Sequence, residues 1–438
     1  MREGSTAGVV RASWVFDTVA KGLLTSATRI EGGSSYAQTI TGYDDHDRPS
    51  GVTVGVPSSV GALGGTYTTG YTYTLDGRIR SVKLPKVGNL AAETVTTYYD
   101  GANQAEWMSG GFPWGTYVAG STYSPYGELL TADLGGSYSV QANWDYEAGT
   151  RRLARLWDVR EGASGYDLDL AYTYDQAGNV MRVADAPTQG GSVGETQCFT
   201  YDGLRRLTSA WTPASGSCAA APTSAGLGGP AKYWTSWTFD AAGNRVSQVA
   251  HATGGIAQDT TSTYAYPAAG SAQAHAVASV TSSGGSSGTS TFAYDAAGNT
   301  TTRAVTGQAS QTLTWDVEGH LAGVSEAGVA TDSYVYTADG DRLLRTQDGV
   351  VTLYLPGGQE VSASGSGVSA VRYYSFAGRT VGVRTGGGAA GTSTVVGDHH
   401  GTPLLQVAQA SNTVARSYTV SWVLFLGPRR KVRVFEER

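Results

Sequence analysis

The chain has 438 residues with a formal net charge of −6, and 61 of its residues are glycine. This acidic balance argues against a general nucleic-acid-binding protein, which normally presents a basic face. No stretch approaches the roughly 18 apolar residues of a transmembrane helix, and no apolar signal segment follows the first residues. We therefore expect no nucleic-acid partner and no membrane span. Tyrosine (26) far outnumbers phenylalanine (8), and many turns with many aromatic strands favour an all-β fold.

Loose copies of one short motif occupy residues 1–160. In one of them, Tyr71 and Tyr73 flank a threonine, and Asp76-Gly77 follow. Side chains alternate along a strand, so the two rings lie on one face of it. Aspartate bonds nearby backbone amides and favours a turn, and glycine supplies the positive φ that a tight turn needs. We predict degenerate β-hairpins throughout this region.

Sharp copies of the motif occupy residues 161–346. The segment from Tyr172 to Asn179 reads Tyr-Thr-Tyr-Asp-Gln-Ala-Gly-Asn, and close copies end at Asn244 and Asn299. The copies follow one another at steps of roughly 20–40 residues, which is typical of repeat proteins. The predicted structural turn residues are Asp175, Gly178, Asn179, Asp202, Asp240, Gly243, Asn244, Asp295, Gly298, Asn299, Asp316 and Gly319.

Each unit therefore reads as strand, turn, strand. A single hairpin is marginally stable in water, so its rings must be buried against neighbouring units. The sequence predicts an all-β repeat array of hairpins, in which the function belongs to an extended surface and not to a single cleft.

Cys198 and Cys218 are the only cysteines, and they border a segment rich in proline, glycine, serine and alanine, residues 212–229. Two interpretations stay open. The pair forms a disulfide that staples this loop and indicates an oxidising compartment, or both residues are free thiols in or beside the loop.

The pattern changes after Arg345. Residues 347–419 contain Tyr354-Leu355-Pro356 followed by two glycines, and later the segment from Asp398 to Gly401 that reads Asp-His-His-Gly. These read as further strands and turns. Residues 420–438 match no repeat, and we predict an atypical tail that is disordered or out of frame.

The repeat units between Tyr172 and Arg342, together with the late Asp-His-His-Gly segment, resemble the RHS/YD-repeat family. The resemblance extends from about Trp14 to Tyr418. It implies a long strip of hairpins that spirals into a hollow shell. Members include shell parts of bacterial toxin complexes, polymorphic toxins and animal cell-surface adhesion proteins. In the bacterial toxins, the shell sequesters a variable C-terminal toxin that self-cleavage releases.

The chain departs from this family after Thr419. An aromatic-glycine turn and a core-closing region are expected there, but the sequence continues from Val420 to Arg438 without either. We hypothesise a truncated or frameshifted reading frame. Self-cleavage and toxicity are therefore not transferred to this chain, and an open strip with unpaired edges is expected to aggregate or to need a partner.

Three groups of acidic and histidine residues are candidate sites. Residues 398–400 could hold a metal or an acid–base pair, and Asp44, Asp45 and Asp47 could chelate a cation. The repeated aspartates could pair as glycosidase carboxylates. All of them sit where a repeat turn belongs, so we predict no catalytic residue, no metal site and no cofactor.

The predicted function is a non-enzymatic, encapsulating scaffold, part of an RHS-repeat toxin that is secreted or at the cell surface. Its predicted partners are a toxin domain or other shell segments. The alternative is an adhesion or carbohydrate-binding module that uses exposed aromatic rings.

Overall fold

The computed structural model describes residues 1, 3, 7–255, 257–419 and 433–437. Most of the predicted atypical tail, residues 420–432 and 438, lies outside the described residues. Within the tail, Arg433–Glu437 forms a strand that pairs with Val414–Thr419. None of the helices in the described part is long and apolar enough to cross a membrane.

The described residues form 34 strands and three short 3-10 helices, Ser58–Leu63, Ser224–Gly226 and Ala389–Gly391. The first seventeen strands are β1 (Ala12–Phe16), β2 (Leu24–Glu31), β3 (Ser34–Tyr43), β4 (Pro49–Val56), β5 (Gly65–Tyr73), β6 (Ile79–Leu84), β7 (Glu93–Tyr99), β8 (Ala105–Gly111), β9 (Gly115–Tyr123), β10 (Leu129–Leu134), β11 (Val140–Tyr146), β12 (Leu153–Arg160), β13 (Asp169–Tyr174), β14 (Val180–Asp185), β15 (Glu195–Tyr201), β16 (Leu207–Trp211) and β17 (Trp234–Phe239).

The remaining strands continue in the same way. They are β18 (Arg245–Ala250), β19 (Thr260–Ala265), β20 (Ser279–Gly284), β21 (Gly288–Tyr294), β22 (Thr300–Ala304), β23 (Gln311–Trp315), β24 (Leu321–Glu326), β25 (Val329–Tyr336), β26 (Arg342–Gln347), β27 (Val350–Leu355), β28 (Gln359–Ser364), β29 (Gly367–Phe376), β30 (Arg379–Arg384), β31 (Thr392–Gly397), β32 (Pro403–Ala408), β33 (Val414–Thr419) and β34 (Arg433–Glu437).

All strands belong to one sheet, and each pairs antiparallel with the next along the chain. The register shifts by one residue at the aromatic before the turn, for example between Thr173 and Tyr174 and between Thr238 and Phe239. Such bulges bend a strip and increase its twist. In the part of the chain that the structure describes, no pairing closes β1 onto the last strands. The predicted all-β array of hairpins in an open, spiralling sheet is confirmed.

The strip makes more than one turn, so that its late strands contact its early strands. Arg29 contacts Glu318 across 289 residues, Gln409 contacts Ser137 across 272, and Tyr418 contacts Val193 across 225. Both partners advance along the chain in the same direction, so a second turn of the spiral runs beside the first. The falling separation means that the second turn uses fewer residues than the first and is the tighter of the two.

The second turn is also offset from the first along the strand direction, and this offset disappears further along the spiral. We call the Asp-Gly end of each hairpin its tip and the other end its loop side. Glu318 is at a tip and meets the loop-side half of β2, at Arg29. Further along, Gln409 on a loop side meets the loop side at Gly136, while the tip residue His399 packs on Tyr172 near a tip. The two layers therefore overlap fully at β10–β13 and β31–β32.

Apolar side chains fill the space between the two layers. One cluster joins Leu134 and Leu156 of the first turn to Leu405 of the second. Another joins Val54 to Leu353. Each of these five side chains is at most 1% exposed. This is sheet-on-sheet packing, in which alternate residues of each strand enter a common core.

A long arc of the strip has only one layer. Between Thr238 and Thr312, the described residues include no buried residue. Hydroxyl pairs link neighbouring strands there: Thr238 bonds Ser247 at 2.6 Å, and Ser262 bonds Ser282 at 2.9 Å. Strand pairing runs across the divisions predicted at residues 160 and 346, and those divisions stay predictions about repeat character.

Candidate functional site

The repeat aspartates hold the hairpin tips. Asp295 Oδ1 accepts hydrogen bonds from the backbone N–H of Ala297 and Asn299, both at 2.9 Å, and its Oδ2 accepts from Asn299 Nδ2 at 3.0 Å. Gly298 takes φ of 89°, which favours glycine. These bonds lower the pKa of the Asp295 carboxyl. The same tip geometry places the other predicted turn residues: Asp175 with Gly178 and Asn179, Asp202, Asp240 with Gly243 and Asn244, and Asp316 with Gly319.

A ladder of tyrosine hydroxyls links each hairpin to the one before it. Tyr174 Oη donates to the backbone oxygen of Leu153 at 2.8 Å, and Tyr201 Oη donates to that of Val180 at 2.9 Å. In both cases the acceptor is the first residue of the preceding return strand. Phenylalanine cannot make this bond, which gives a physical reason for the excess of tyrosine. Further rungs start from Tyr43, Tyr73, Tyr99, Tyr123, Tyr146, Tyr266, Tyr294 and Tyr336.

Cys198 and Cys218 are joined by a disulfide in the structure, with Cα atoms 5.6 Å apart. Cys198 lies on β15 and is fully buried beside Trp211 and Leu227. The bond therefore anchors the segment 212–229 to one face of the sheet. The oxidation state of the pair in the cell stays a prediction.

The seam between the two turns contains a buried ion pair. Arg372 Nη1 lies 3.2 Å from Glu93 Oε2, and both side chains are 0% exposed. Arg372 also donates to the backbone oxygens of Ala91 and Pro85, at 2.8 and 2.6 Å, and to Gln359 Oε1 at 3.1 Å. Burial of an ion is costly unless all of its bonding capacity is used, and here four acceptors surround one guanidinium.

Two tyrosines extend this network. Tyr374 Oη donates to Glu93 Oε2 at 2.7 Å, and Tyr117 Oη donates to Glu93 Oε1. Their rings stack with centroids 3.8 Å apart. Burial raises the pKa of Tyr374 to about 12 and raises that of Tyr117 further still. Both hydroxyls are therefore protonated donors at any physiological pH.

Arg384 completes the cluster from the next strand. It donates to Tyr117 Oη at 2.8 Å and to the backbone oxygen of Trp114 at 3.1 Å, and its guanidinium lies over the Trp114 ring at 4.8 Å. We call Glu93, Tyr117, Arg372, Tyr374 and Arg384 the seam cluster. It joins β7 and β9 of the first turn to β29 and β30 of the second. The cluster therefore forms only when the second turn lies against the first.

Ion pairs fasten both ends of the overlap. Arg29 is 3% exposed and forms a bidentate pair with Glu318 at 2.8 and 2.5 Å. At the far end, Arg416 pairs with Asp185, and both side chains are almost completely buried. The second turn is therefore held at its start, at the seam cluster and at its last described hairpin.

The candidate sites from the sequence lie at hairpin tips. Asp44 accepts from the backbone N–H of His46 and Arg48, and the Arg48 side chain lowers the pKa of Asp44 to about 2. Asp398 accepts in the same way from His400 and Thr402. Burial lowers the pKa of His399 to about 4.

One hairpin tip brings together three residues that could ligate a metal ion. Asp316, Glu318 and His320 each bring one ligand atom to within 4.8 Å of the others. Glu318 is already bonded through both oxygens by Arg29, which neutralises its charge. The arrangement favours a salt bridge between turns over a cation site.

The sequence did not point to the seam cluster. Glu93 and Arg372 are 279 residues apart and share no motif. One signal was available in the sequence. Arg372 and Arg384 occupy strand positions whose alternation places them facing the core, where an apolar residue is expected.

No family model and no curated protein matches the chain. Among solved structures, TcdB2-TccC3 matches 93% of this chain with a TM-score of 0.66 and 17% identity. The same complex without its hypervariable C-terminal region gives 0.65, and the Tc holotoxin pore of Photorhabdus luminescens gives 0.60 over 95% of the chain. The chain spans 21–23% of the length of these proteins. The match, the hairpin repeat and the overlapping turns together show that this chain has the RHS-type fold of toxin-complex shells.

Proposed function

We propose that this chain forms part of the wall of an encapsulating scaffold in a toxin complex that is secreted or displayed at a cell surface. The observation on which this rests is the seam: a sheet that comes round and fastens to itself can bound an enclosed space. The likeness to TcdB2-TccC3 supports the same role. The scaffold acts by steric exclusion and needs no catalytic step.

The single-layer arc suits an enclosing wall. Its strands present threonine and serine hydroxyls that bond one another, as between Thr281 and Thr289 at 3.3 Å. A surface without large apolar patches binds an unfolded segment weakly, so that segment can be held and then released. The double layer supplies the stiffness that the arc lacks.

The partners that fit are a toxin segment inside and further shell segments at the edges. Within the described part of the chain, β2 is the only strand that pairs with β1, and beyond Ala12, which bonds the backbone of Met1, β1 presents an unpaired strand edge. Such an edge is a template for another strand. A neighbouring shell segment would satisfy its free backbone groups.

Protease protection tests the proposal. The chain is expressed with a C-terminal, natively unfolded peptide, and cleavage of that peptide is compared with cleavage of the peptide alone. We expect slower cleavage in the fusion. Arg372→Ala, which opens the seam, should abolish the protection, while Arg78→Ala at an exposed tip should retain it. Equal cleavage in the fusion and in the free peptide would contradict the proposal.

Carbohydrate binding is the alternative hypothesis from the sequence. The ladder tyrosines already donate their hydroxyls to neighbouring hairpins, so these rings belong to the wall. A glycan array separates the two hypotheses, because a wall should show no saturable sugar binding.

A further inference from the structure

The arc begins with a Ser-His-Asp hydrogen-bond chain. Ser236 Oγ lies 2.9 Å from His251 Nε2, and His251 Nδ1 lies 2.9 Å from Asp259 Oδ2. This is the connectivity of a nucleophile, its base and the carboxylate that orients the base. Both distances fall in the range required for proton transfer.

The imidazole is held in place from two further directions. The Trp234 ring stacks on His251 with centroids 3.5 Å apart and planes 18° from parallel. Asp259 Oδ1 accepts from the backbone N–H of Ala252 at 2.7 Å, which fixes the carboxylate next to the ring. That bond and the one from His251 lower the pKa of Asp259, so it stays ionised. An ionised Asp259 selects the tautomer with its proton on Nδ1, leaving Nε2 to accept from Ser236.

The Ser236–His251–Asp259 hydrogen-bond chain lies on the accessible face of the sheet. Ser236 is directly opposite Ser209 on β16 and Val249 on β18, so the three side chains share one face. Trp237, the next residue, points to the other face, where it joins the buried cluster with Phe199. The Ser236 face therefore looks away from the core between the turns.

Two further groups lie near Ser236 on this face, the Ser209 hydroxyl and the Trp234 ring. The loop that the Cys198–Cys218 disulfide anchors packs on this same face, against Trp211 and Trp234. Trp234 Nε1 donates to Ser209 Oγ at 3.2 Å. Ser209 thus has a hydroxyl beside Ser236, and the Trp234 ring is the apolar surface next to His251, because Trp211 is only 4% exposed beneath the loop.

We propose that Ser236 is an activated nucleophile that takes the acyl group of a small carboxylic ester. Ser236 Oγ attacks the ester carbonyl carbon while its proton passes to His251 Nε2. The bond to the leaving alcohol breaks, and His251 returns the proton to the alcohol oxygen. His251 then takes a proton from water, which attacks the acyl carbon; the bond from that carbon to Ser236 Oγ breaks, His251 returns the proton to Oγ, and the carboxylic acid leaves. The Trp234 ring beside His251 favours an ester with an aromatic or short alkyl group.

Turnover is expected to be slow. Strand β17 is paired on both sides, so its backbone amides are engaged in the sheet and do not form an oxyanion hole. Loss of an oxyanion donor costs about 10²–10³-fold in rate. Ser209 Oγ lies closest in register, but its hydroxyl already donates to the backbone oxygen of Thr235 at 3.3 Å. Covalent labelling is therefore a better readout than hydrolysis.

The test uses the full chain and a fluorophosphonate probe, which transfers its phosphonyl group to an activated serine with loss of fluoride. We expect labelling at Ser236, located by peptide mass spectrometry. Ser236→Ala should abolish it, and His251→Gln should slow it about 100-fold, the usual contribution of a general base. Asp259→Asn should slow it less.

Ser247→Ala is the matched control, because this serine lies on the same face but bonds Thr238 and no imidazole. It should label as the unaltered chain does. Melting temperatures establish that each variant is folded. If a folded chain labels no faster than Ser236→Ala, or if folded His251→Gln labels at the full rate, the hydrogen-bond chain is structural only and the proposal is wrong.

Discussion

The overlapped part of the strip and the single-layer arc follow the same hairpin plan but are stabilised differently. In the overlap, Val54, Leu156 and Leu353 are at most 1% exposed, and an ion pair is wholly buried. In the arc, from residue 238 to 312, the described residues include no buried one. Two of the three sharp turn motifs, those ending at Asn244 and Asn299, lie in that arc, and the third, ending at Asn179, lies in the overlap. The repeat motif therefore specifies the hairpin, while apolar alternation specifies where a second layer forms.

The largest effect is expected from opening the seam. Arg372→Ala leaves Glu93 buried without its cation, and loss of one partner of a buried pair costs about 3–5 kcal/mol. The free energy of unfolding from urea titration measures this. Arg78→Ala is the control, because the Arg78–Asp76 pair is exposed and should contribute less than about 1 kcal/mol. Equal losses in the two variants would mean that the seam does not hold the turns together.

A valine pair compares the two regions directly. Val54→Ala removes two methyl groups from a side chain that is 1% exposed, at about 0.8 kcal/mol each plus the cost of a cavity. Val280→Ala makes the same change in the half-exposed arc and should cost about 0.5 kcal/mol or less. Urea titration of both variants gives the difference. A Val280→Ala loss as large as that of Val54→Ala would remove the distinction between the regions.

Two buried carboxyls make the overlapped side of the molecule sensitive to pH. Burial raises the pKa of Asp158 and of Glu195 to about 7. Between the unfolded value near 4 and about 7, the folded state holds protons that the unfolded state has lost. Stability should therefore fall as pH rises from about 4 to 7 and then level off. Asp158→Asn should weaken this dependence, as measured by melting temperature from pH 4 to 8, and an unchanged slope would exclude Asp158 as a source.

The smallest effect is expected at one rung of the hydroxyl ladder. Tyr294→Phe removes the bond from Tyr294 Oη to the backbone oxygen of Val277 and should cost about 1 kcal/mol. Phe239 occupies the equivalent position in another hairpin and forms no rung, so the substitution is sterically acceptable. A variant as stable as the unaltered chain would show that the ladder does not stabilise the arc.

The local parts of this fold could be predicted from sequence, and the long-range parts could not. Asp295, Gly298 and Asn299 form their tip through bonds within five residues, so the motif itself contains the geometry. Glu93 and Arg372 meet only because the strip completes a turn, and the length of that turn depends on the twist of every hairpin between them. The Ser236–His251–Asp259 hydrogen-bond chain is intermediate between a local and a long-range feature. It spans three neighbouring strand ends, but no local motif sets its register.

Hydrogen exchange resolved by mass spectrometry tests the central claim that the second turn is locked onto the first. Strands of one cooperative unit open together, with protection set by their buried contacts. We predict that β9–β12 and β29–β32 exchange slowly and together, that β19–β22 exchange faster, and that Arg372→Ala raises exchange on both sides of the seam at once. If β29–β32 exchange as fast as the arc, or if Arg372→Ala affects only the second turn, then the two layers are not one structural unit and the account is wrong.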